Sequence, residues 1–287
     1  MSALALALVQ LRSGRELRRN VDLCVDYIAE AARSGARYIQ TPEMTTLIER
    51  EKQRLLAELT QENVDYALAA FSRAAAQHGI FLHIGSMAIP TADGRVANRA
   101  HIFDPKGDLG AVYDKIHMFD VDLDSGESWR ESRIYAPGDK LVVADLGEAI
   151  VAPAICYDLR FGHLFRDQAK AGAVILTAPA AFTRQTGEAH WHVLQRARAI
   201  EAGSFMVSAA QGGRHEDGRE TFGHSLVVDP WGAIVAEKQD DEPGLLLAEI
   251  DLAEVTAARE KIPALKHDRQ YDAAPEAETA SVSFAVV

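Results

Sequence analysis

Residues 149–161 read AIVAPAICYDLRF, an apolar segment that leads into a cysteine and then a polar turn. The apolar segment has the length and composition of a buried strand, and a helical pattern follows over 161–171. A further apolar run at 173–178 predicts the next strand. A strand, a helix and a strand in this order predict an α/β fold with extensive parallel pairing.

The same alternation extends to both sides of this unit. Helices with an apolar face are predicted over 16–33, 61–78 and 188–202, and a short one over 251–259. Strands are predicted over 3–10, 36–40, 80–87, 97–104, 109–115, 141–145, 149–155, 173–178, 204–210, 223–229, 232–236 and 244–250. Turn residues such as Gly94 and Gly232 mark hairpin-like connections, so antiparallel pairs are mixed into the sheet.

Cys156 stands where one of these strands ends. A side chain at this place faces the amino terminus of the following helix, whose partial positive charge favours thiolate over thiol. A thiolate is a strong nucleophile, so the residue suggests covalent catalysis. The alternative is a buried cysteine that only fills space, which is the common role of a free cysteine and our interpretation of Cys24 on the first helix.

Two other predicted strands end in groups that a working thiol needs. Glu43 follows the strand at 36–40, and Lys115 ends the strand at 109–115. In a sheet-based protein such strand ends converge on one edge, where sites form. Each charge alone is more often a solvated surface group, so it is their combination with Cys156 that predicts a catalytic site.

These three residues stand in segments that resemble the Glu-Lys-Cys signature of the nitrilase superfamily of carbon–nitrogen hydrolases. The segments are TPEM around Glu43, YDKIHMFD around Lys115 and AICYDLRF around Cys156. Further matches follow in the same order: PG at 137–138, HW at 190–191 with RARAIE at 196–201, and GHS at 223–225 leading to DPWG at 229–232. The resemblance runs from about residue 3 to Tyr271 and implies a four-layer α-β-β-α sandwich of two stacked mixed sheets.

The resemblance also implies how the three groups divide the work of amide hydrolysis. Cys156 attacks the carbonyl carbon and forms a thioester, while Glu43 moves the protons. Lys115 stabilises the oxyanion, helped by the backbone N–H of Tyr157.

Two supporting residues are predicted with the triad. In relatives a second glutamate positions the lysine, and Glu131 fits that spacing better than the nearby Glu127. Arg160, in the turn after the cysteine, is the candidate clamp for a substrate carboxylate, because guanidinium binds carboxylate bidentately. The alternative for this arginine is an ion pair with Asp158 or Asp167.

The chain departs from the usual pattern in two places. Asp114 precedes the lysine where closer relatives often carry arginine. Gly162 and His163 stand where they usually carry Pro-Glu, which leaves the shape of the loop beyond the cysteine open. The later loop that contains Arg214 and His215 is interpreted as a solvated turn; the alternative, implied by the resemblance, is a role near the mouth of the site.

No metal or cofactor is expected. His190 and His192 are predicted on one helix, where positions i and i+2 diverge by about 200° and cannot share an ion. No third ligand lies at a useful spacing. Arg196, Arg198 and Glu201 of the same helix are predicted to form structural ion pairs, and its amino end is expected to border the pocket.

Composition and charge exclude several classes of function. The 287 residues are 48% hydrophobic and 25% charged, which is ordinary for a globular protein. The net charge is −12 and there is no basic cluster, so neither nucleic acid nor an anionic membrane is an expected partner. The two cysteines form no disulfide framework, and a catalytic thiol predicts a reducing, cytoplasmic location.

The two ends of the chain are interpreted differently. The first residues alternate like a strand and lack a basic residue ahead of the apolar run, which favours a core strand over a signal peptide. One carbon–nitrogen hydrolase domain is predicted over 1–272, with a tail over 273–287 that either frays or docks on a partner subunit. The resemblance implies a homodimer or a higher homo-oligomer.

The triad cannot choose the substrate, because the superfamily acts on nitriles, amides and carbamoyl groups and also transfers acyl groups. The segments HWHVLQRARAIEA, GGRHEDGRETFGHS and VVDPWG look most like the Nit branch. That branch acts on amides of 2-oxo acids such as deaminated glutathione and 2-oxoglutaramate, which carry a carboxylate. The alternatives are an N-carbamoyl amino acid hydrolase, a nitrilase and a non-catalytic scaffold.

Overall fold

The computed structural model describes residues 3–122 and 128–269. The α-helices in these ranges are α1 (Leu17–Arg33), α2 (Lys52–Glu58), α3 (Gln61–His78), α4 (Gly162–Lys170), α5 (Arg184–Ala202) and α6 (Ala253–Lys261). The first strands along the chain are β1 (Ala3–Gln10), β2 (Tyr38–Gln40), β3 (Phe81–Pro90), β4 (Val96–Phe103), β5 (Leu109–Asp114), β6 (Asp120–Asp122), β7 (Ser128–Arg130) and β8 (Tyr135–Ala136). They are followed by β9 (Ala144–Asp145), β10 (Ile150–Pro153), β11 (Ile175–Thr177), β12 (Phe205–Ser208), β13 (Gly212–Arg214), β14 (Glu220–Phe222), β15 (Leu226–Val228), β16 (Ile234–Glu237) and β17 (Gly244–Asp251).

The strands form two large mixed sheets. The first has the order β17-β1-β2-β3-β4-β5, with β8 paired to β4, and β1, β2 and β3 are parallel at its centre. The second has the order β16-β15-β12-β11-β10-β9, with β10, β11 and β12 parallel at its centre. Antiparallel strands complete both sheets, as the hairpin-like turns predicted.

The two sheets pack face to face between helices. Leu6 and Leu8 of β1 are buried in one cluster with Val151 of β10 and Phe205 of β12. Val9, which points to the opposite face of β1, is buried with α1 and α3 instead. The outer face of the second sheet packs on α4 and α5. Because successive strand residues point to opposite faces, strands covered on both sides are apolar throughout. The four-layer sandwich implied by the resemblance is confirmed.

Helix α5 begins earlier than its periodicity predicted. The prediction was 188–202, whereas Thr183 caps the helix by accepting a hydrogen bond from the backbone N–H of Thr186. Gly187 lies inside the first turns, where a Cβ atom would be 2.3 Å from the side chain of Phe222. Close packing on Phe222 requires a glycine here, and its low helix propensity is the reason that the sequence pattern placed the start of the helix too late.

Several short elements had no signal in the sequence. They are α2, the ribbon of β6 and β7, and the ribbon of β13 and β14. Each is too short for a period to stand out.

The predicted domain boundary at 272 and the tail over 273–287 lie outside the described residues. No helix in the described parts of the chain is long and apolar enough to cross a membrane.

Candidate active site

Three strands deliver the predicted triad to one cavity. Strand β2 leads to Glu43, β5 leads directly to Lys115, and β10 leads to Cys156. The three side chains line a cavity of about 550 Å³. Since β2 and β5 belong to the first sheet and β10 to the second, the cavity lies where the ends of both sheets meet.

Lys115 is buried between two carboxylates. Its Nζ lies 3.0 Å from Oε1 of Glu43 and 2.9 Å from each carboxylate oxygen of Glu131. Burial alone would lower the pKa of Lys115, but the charges of Glu131 and Glu43 outweigh it and raise the pKa well above its ordinary value. The lysine is therefore a fixed ammonium ion. The structure places the predicted Glu131 on the lysine, while Glu127 lies outside the described residues.

Glu43 is held from three sides. Oε1 also accepts a hydrogen bond from Nδ2 of Asn98 at 2.9 Å, and Oε2 accepts one from the backbone N–H of Ala181 at 2.9 Å. Burial alone would raise the pKa of Glu43, but the charge of Lys115 and the hydrogen bonds from Cys156, Lys115 and Asn98 lower it below its ordinary value. Glu43 is therefore a carboxylate next to the cysteine.

Cys156 adopts a left-handed backbone conformation, with φ of 49°, just after β10. Its side chain is buried at the cavity, and its N–H donates to the carbonyl of Pro179 at 3.0 Å. Burial and the charge of Glu43 raise the pKa of the thiol well above its ordinary value, against the opposing effect of Lys115. The expectation of a resting thiolate is therefore wrong. A 3₁₀ turn, Cys156–Arg160, separates the cysteine from α4, and the neighbouring carboxylate favours the neutral thiol.

Asp158 holds the turn that follows the cysteine. Its buried carboxylate accepts hydrogen bonds from the N–H of Ile155 at 3.0 Å and from the N–H of His117 at 2.9 Å. It also accepts one from the hydroxyl of Tyr113 at 2.7 Å, so one side chain joins the cysteine turn to the lysine strand. The N–H of Tyr157, at the start of this turn, donates to no acceptor within the described residues.

Arg160 lies on the cavity wall and forms neither ion pair suggested from the sequence. Its Nη1 is 3.2 Å from Nδ1 of His190. The guanidinium stands 5.7 Å from the ring centre of Tyr157 and 5.5 Å from that of Phe182. In the described ranges no carboxylate lies within ion-pair distance of this arginine, and the carboxylate of Asp158 accepts hydrogen bonds from backbone N–H groups instead.

Sequence reasoning missed two residues that support the triad. Nδ2 of Asn98 reaches Glu131 at 3.3 Å as well as Glu43, so the carboxamide spans both carboxylates. Nε2 of Gln211 donates to the backbone carbonyl of Glu43 at 3.0 Å and to that of Met44 at 3.2 Å. The available signal was a polar side chain inside or next to an apolar strand, which needs a buried partner.

The loop between β13 and β14 borders the cavity through an arginine that was not predicted. Arg219 lies 5.0 Å from the ring centre of Trp129, and Arg50 lies at the same distance from that ring.

His215 is not in a solvated turn. It is buried, and its ring contacts the carbonyl of Ser13 at 2.9 Å. Burial lowers the pKa of His215 to about 4.

The glycine that departs from the family pattern begins α4. A Cβ atom at Gly162 would lie 3.2 Å from Nη1 of Arg198. Arg198 forms the predicted ion pair with Glu201 at 2.8 Å, whereas Arg196 donates to a backbone carbonyl at 2.7 Å. The amino end of α5 borders the cavity as expected, since Thr186 is among its lining residues.

The two histidines of α5 diverge as predicted, but one of them gains partners from elsewhere. His190 meets Arg160, whereas Nε2 of His192 lies 2.7 Å from Oε1 of Glu237. Nδ1 of His224 lies 2.9 Å from the same oxygen. His192 therefore meets Glu237 and lies close to His224, two residues from other elements of the chain that its spacing from His190 could not indicate.

The chain is similar to known proteins along most of its length. Residues 5–260 match the family model described as carbon-nitrogen hydrolase. Deaminated glutathione amidase of Yersinia enterocolitica is 39% identical over 267 residues, covering 92% of each chain. Omega-amidase NIT2 of Mus musculus is 34% identical over 276 residues, covering 94% of this chain and 96% of the other.

Solved structures show the same likeness. The NitFhit protein of C. elegans superposes with a TM-score of 0.88 and 32% identity, covering 94% of this chain and 66% of that one. An amidase of Nesterenkonia sp. AN1, solved after acrylamide added to its active-site cysteine, superposes with a TM-score of 0.76 and 26% identity. That superposition covers 91% of this chain and 98% of the amidase.

Proposed function

The chain belongs to the carbon–nitrogen hydrolase family and is an amide-hydrolysing enzyme, and we propose that it hydrolyses the amide of a 2-oxo acid through a cysteine thioester. The observation that carries the mechanism is the buried contact of Glu43, Lys115 and Glu131 beside Cys156. The substrate class rests on Arg160 and on the relatives named deaminated glutathione amidase and omega-amidase.

The first half of the reaction starts from a neutral thiol. Glu43, a carboxylate at rest, takes the proton from Cys156 as the sulfur attacks the carbonyl carbon. The carbonyl π electrons move to oxygen and form the tetrahedral oxyanion. As this collapses, the carbon–nitrogen bond breaks, Glu43 returns the proton to the leaving nitrogen, and a thioester remains on the cysteine.

Two groups would stabilise the oxyanion in this mechanism. Lys115 carries a permanent charge in a buried site, where low polarity strengthens its interaction with a developing anion. The backbone N–H of Tyr157 follows the nucleophile and is not used by another acceptor in the described chain. Glu131 keeps the lysine in position, because it accepts hydrogen bonds with both oxygens.

The second half uses the same carboxylate. Glu43 takes a proton from water, and the resulting hydroxide attacks the thioester carbon. The carbon–sulfur bond then breaks, and the thiolate takes the proton back from Glu43 as the free acid leaves. The triad and Glu131 supply every proton and charge that these steps need, so the proposal names no cofactor.

Arg160 is the proposed carboxylate clamp. Its guanidinium lines the cavity, lies 5.7 Å and 5.5 Å from two aromatic ring centres, and has no carboxylate partner in the described parts of the chain. A carboxylate on the substrate would supply that partner through paired hydrogen bonds. The cavity of about 550 Å³ is in the range of small-molecule sites.

A second candidate is hydrolysis of an N-carbamoyl amino acid. The same triad and the same arginine would serve that substrate, since it also places a carboxylate near the scissile carbon–nitrogen bond. Nitrile hydrolysis and a non-catalytic scaffold rank lower. A scaffold has no need to bury Lys115 between Glu43 and Glu131, which costs desolvation of three charges.

The setting of the enzyme is also part of the proposal. We propose a cytoplasmic homodimer or higher homo-oligomer whose only partner during turnover is the small amide, without nucleic acid or membrane. Light scattering of the purified chain measures the oligomeric state, and a monomer at micromolar concentration would contradict this part.

The deciding experiment measures ammonia or amine release from four compounds. They are deaminated glutathione, 2-oxoglutaramate, an N-carbamoyl amino acid and a simple nitrile. Cys156→Ala should abolish turnover, while Cys24→Ala, a matched change on the buried face of α1, should keep it. Preference for a 2-oxo amide supports the proposal, and preference for the carbamoyl compound overturns the substrate. Activity that survives Cys156→Ala overturns the mechanism.

A further inference from the structure

A second cluster of functional side chains lies outside the catalytic cavity. His192 of α5, His224 in the loop between β14 and β15, and Glu237 at the end of β16 each direct one ligand-type atom to the same place. The three atoms all lie within 4.8 Å of one another. None of these residues is among those that line the cavity.

The rings of this cluster are held in place by packing. Phe222 stacks on His224 with ring centres 4.2 Å apart and an interplanar angle of 21°, and meets His192 edge-on at 5.8 Å. The backbone of His224 is in the left-handed region, with φ of 58°, between Gly223 and Ser225. The imidazoles are therefore oriented before any ligand arrives, which reduces the entropy that binding would cost.

The cluster is also open to ions from solvent. The side chains of His192, His224 and Glu237 are 32%, 23% and 17% exposed, so they are shielded but not sealed. The chain carries a net charge of −12, which favours a cation over an anion at such a site. Both imidazoles hydrogen-bond to one carboxylate oxygen, and this leaves the other oxygen of Glu237 free of both of them.

We propose that His192, His224 and Glu237 bind one divalent transition-metal ion, with Zn²⁺ as the best match. Two imidazole nitrogens and one carboxylate oxygen are a ligand set that suits Zn²⁺ better than Mg²⁺ or Ca²⁺, which prefer oxygen ligands. The ion replaces the hydrogen bonds of both imidazoles to Glu237, and each ligating nitrogen moves its proton to the other ring nitrogen or releases it to solvent. A water molecule completes four-coordination. Because the ligands come from three separate elements, the ion ties α5 to the edge of the second sheet.

Zinc would also bind a catalytic thiol, so the test is made in the Cys156→Ala background of the full-length chain. Isothermal titration with ZnCl₂ measures stoichiometry and affinity, and the absorption spectrum of the Co²⁺ form reports the coordination number. We expect one equivalent of Zn²⁺, a four-coordinate Co²⁺ spectrum, and a melting temperature that rises with zinc concentration.

Three variants in that background separate the cluster from other histidines. His192→Ala and Glu237→Gln should each weaken zinc binding by about 100-fold or more, because each removes a ligand. His190→Ala, on the same helix but directed to Arg160, should bind zinc as the parent does. Circular dichroism confirms that each variant is folded.

Three outcomes would overturn the proposal. They are the absence of a one-to-one complex in the parent, full affinity in folded Glu237→Gln, and an equal loss in His190→Ala. None of these results bears on amide hydrolysis, which is measured separately in the chain that keeps Cys156.

Discussion

Replacing Glu43 by glutamine tests whether this carboxylate keeps the cysteine protonated and also serves as the base. Glutamine has nearly the same shape, so the change mainly removes a charge. The charge of Glu43 raises the pKa of the Cys156 thiol, and Lys115 lowers it. Without the charge of Glu43, Lys115 still lowers the pKa of the thiol. The thiol pKa should therefore fall in the variant, while burial keeps it above the ordinary value.

The cost to the fold and to the rate follows from the contacts. With its amide oxygen in the place of Oε1, the glutamine of Glu43→Gln would still accept from Lys115 and Asn98, but its NH₂ would face the donor N–H of Ala181. One lost buried hydrogen bond costs about 1–3 kcal/mol of stability. Loss of the general base should lower kcat by about 10²–10⁴-fold, although more of the thiol is ionised.

The assay follows the rate of iodoacetamide alkylation of Cys156 against pH, alongside kcat for the preferred amide. Glu49→Gln is the matched control, since Glu49 is a buried carboxylate on the same cavity that pairs with Arg15. It should change neither the thiol pKa nor kcat substantially. A thiol pKa that rises in Glu43→Gln, or a kcat within a few-fold of the parent, would refute the reasoning.

Three further predictions concern the clamp, the packing and the effect of pH. Arg160→Lys keeps the positive charge but loses the planar guanidinium fork, so KM for a carboxylate-bearing amide should rise about 10-fold or more, with a smaller change in kcat. Steady-state kinetics measure both, and a larger effect on kcat than on KM would contradict the clamp. Gly187→Ala places a Cβ atom 2.3 Å from the side chain of Phe222 and should lower the free energy of unfolding by about 1–3 kcal/mol. Urea titration measures this, and an unchanged midpoint would show that Phe222 moves aside without a cost in stability. Burial lowers the pKa of His83 to about 3 and of His215 to about 4, so the unfolded chain binds more protons below the ordinary value of 6.5. Stability should therefore fall as pH drops, by about 2 kcal/mol per histidine at about pH 5, and His215→Gln should reduce that slope in urea titrations at several pH values.

Local patterns were enough for most of the framework. The alternation of Leu4, Leu6 and Leu8 with small residues predicted β1, and the apolar run at 149–155 predicted the strand before Cys156. Such signals work because side-chain direction repeats along a strand or a helix. They failed at Gly187, where a tertiary contact with Phe222 requires glycine inside a helix.

The candidate triad was predictable for a similar reason. Glu43, Lys115 and Cys156 each follow a strand, so their convergence could be inferred from three local patterns and from the resemblance to one family. Glu131 was predicted from the resemblance, because relatives carry a second glutamate at the same distance from the lysine. Asn98 was missed, since a single amide within a strand does not show which distant carboxylates it meets.

The sequence by itself determined the strand and helix pattern, the family, and the chemical groups at the strand ends. Only the tertiary structure decided that Cys156 rests as a thiol, that Asp158 binds the turn rather than Arg160, and that His192 and His224 meet at Glu237. The physical reason is that secondary structure follows from neighbours along the chain. Protonation and coordination depend instead on burial and on distances of a few ångströms between residues far apart in sequence.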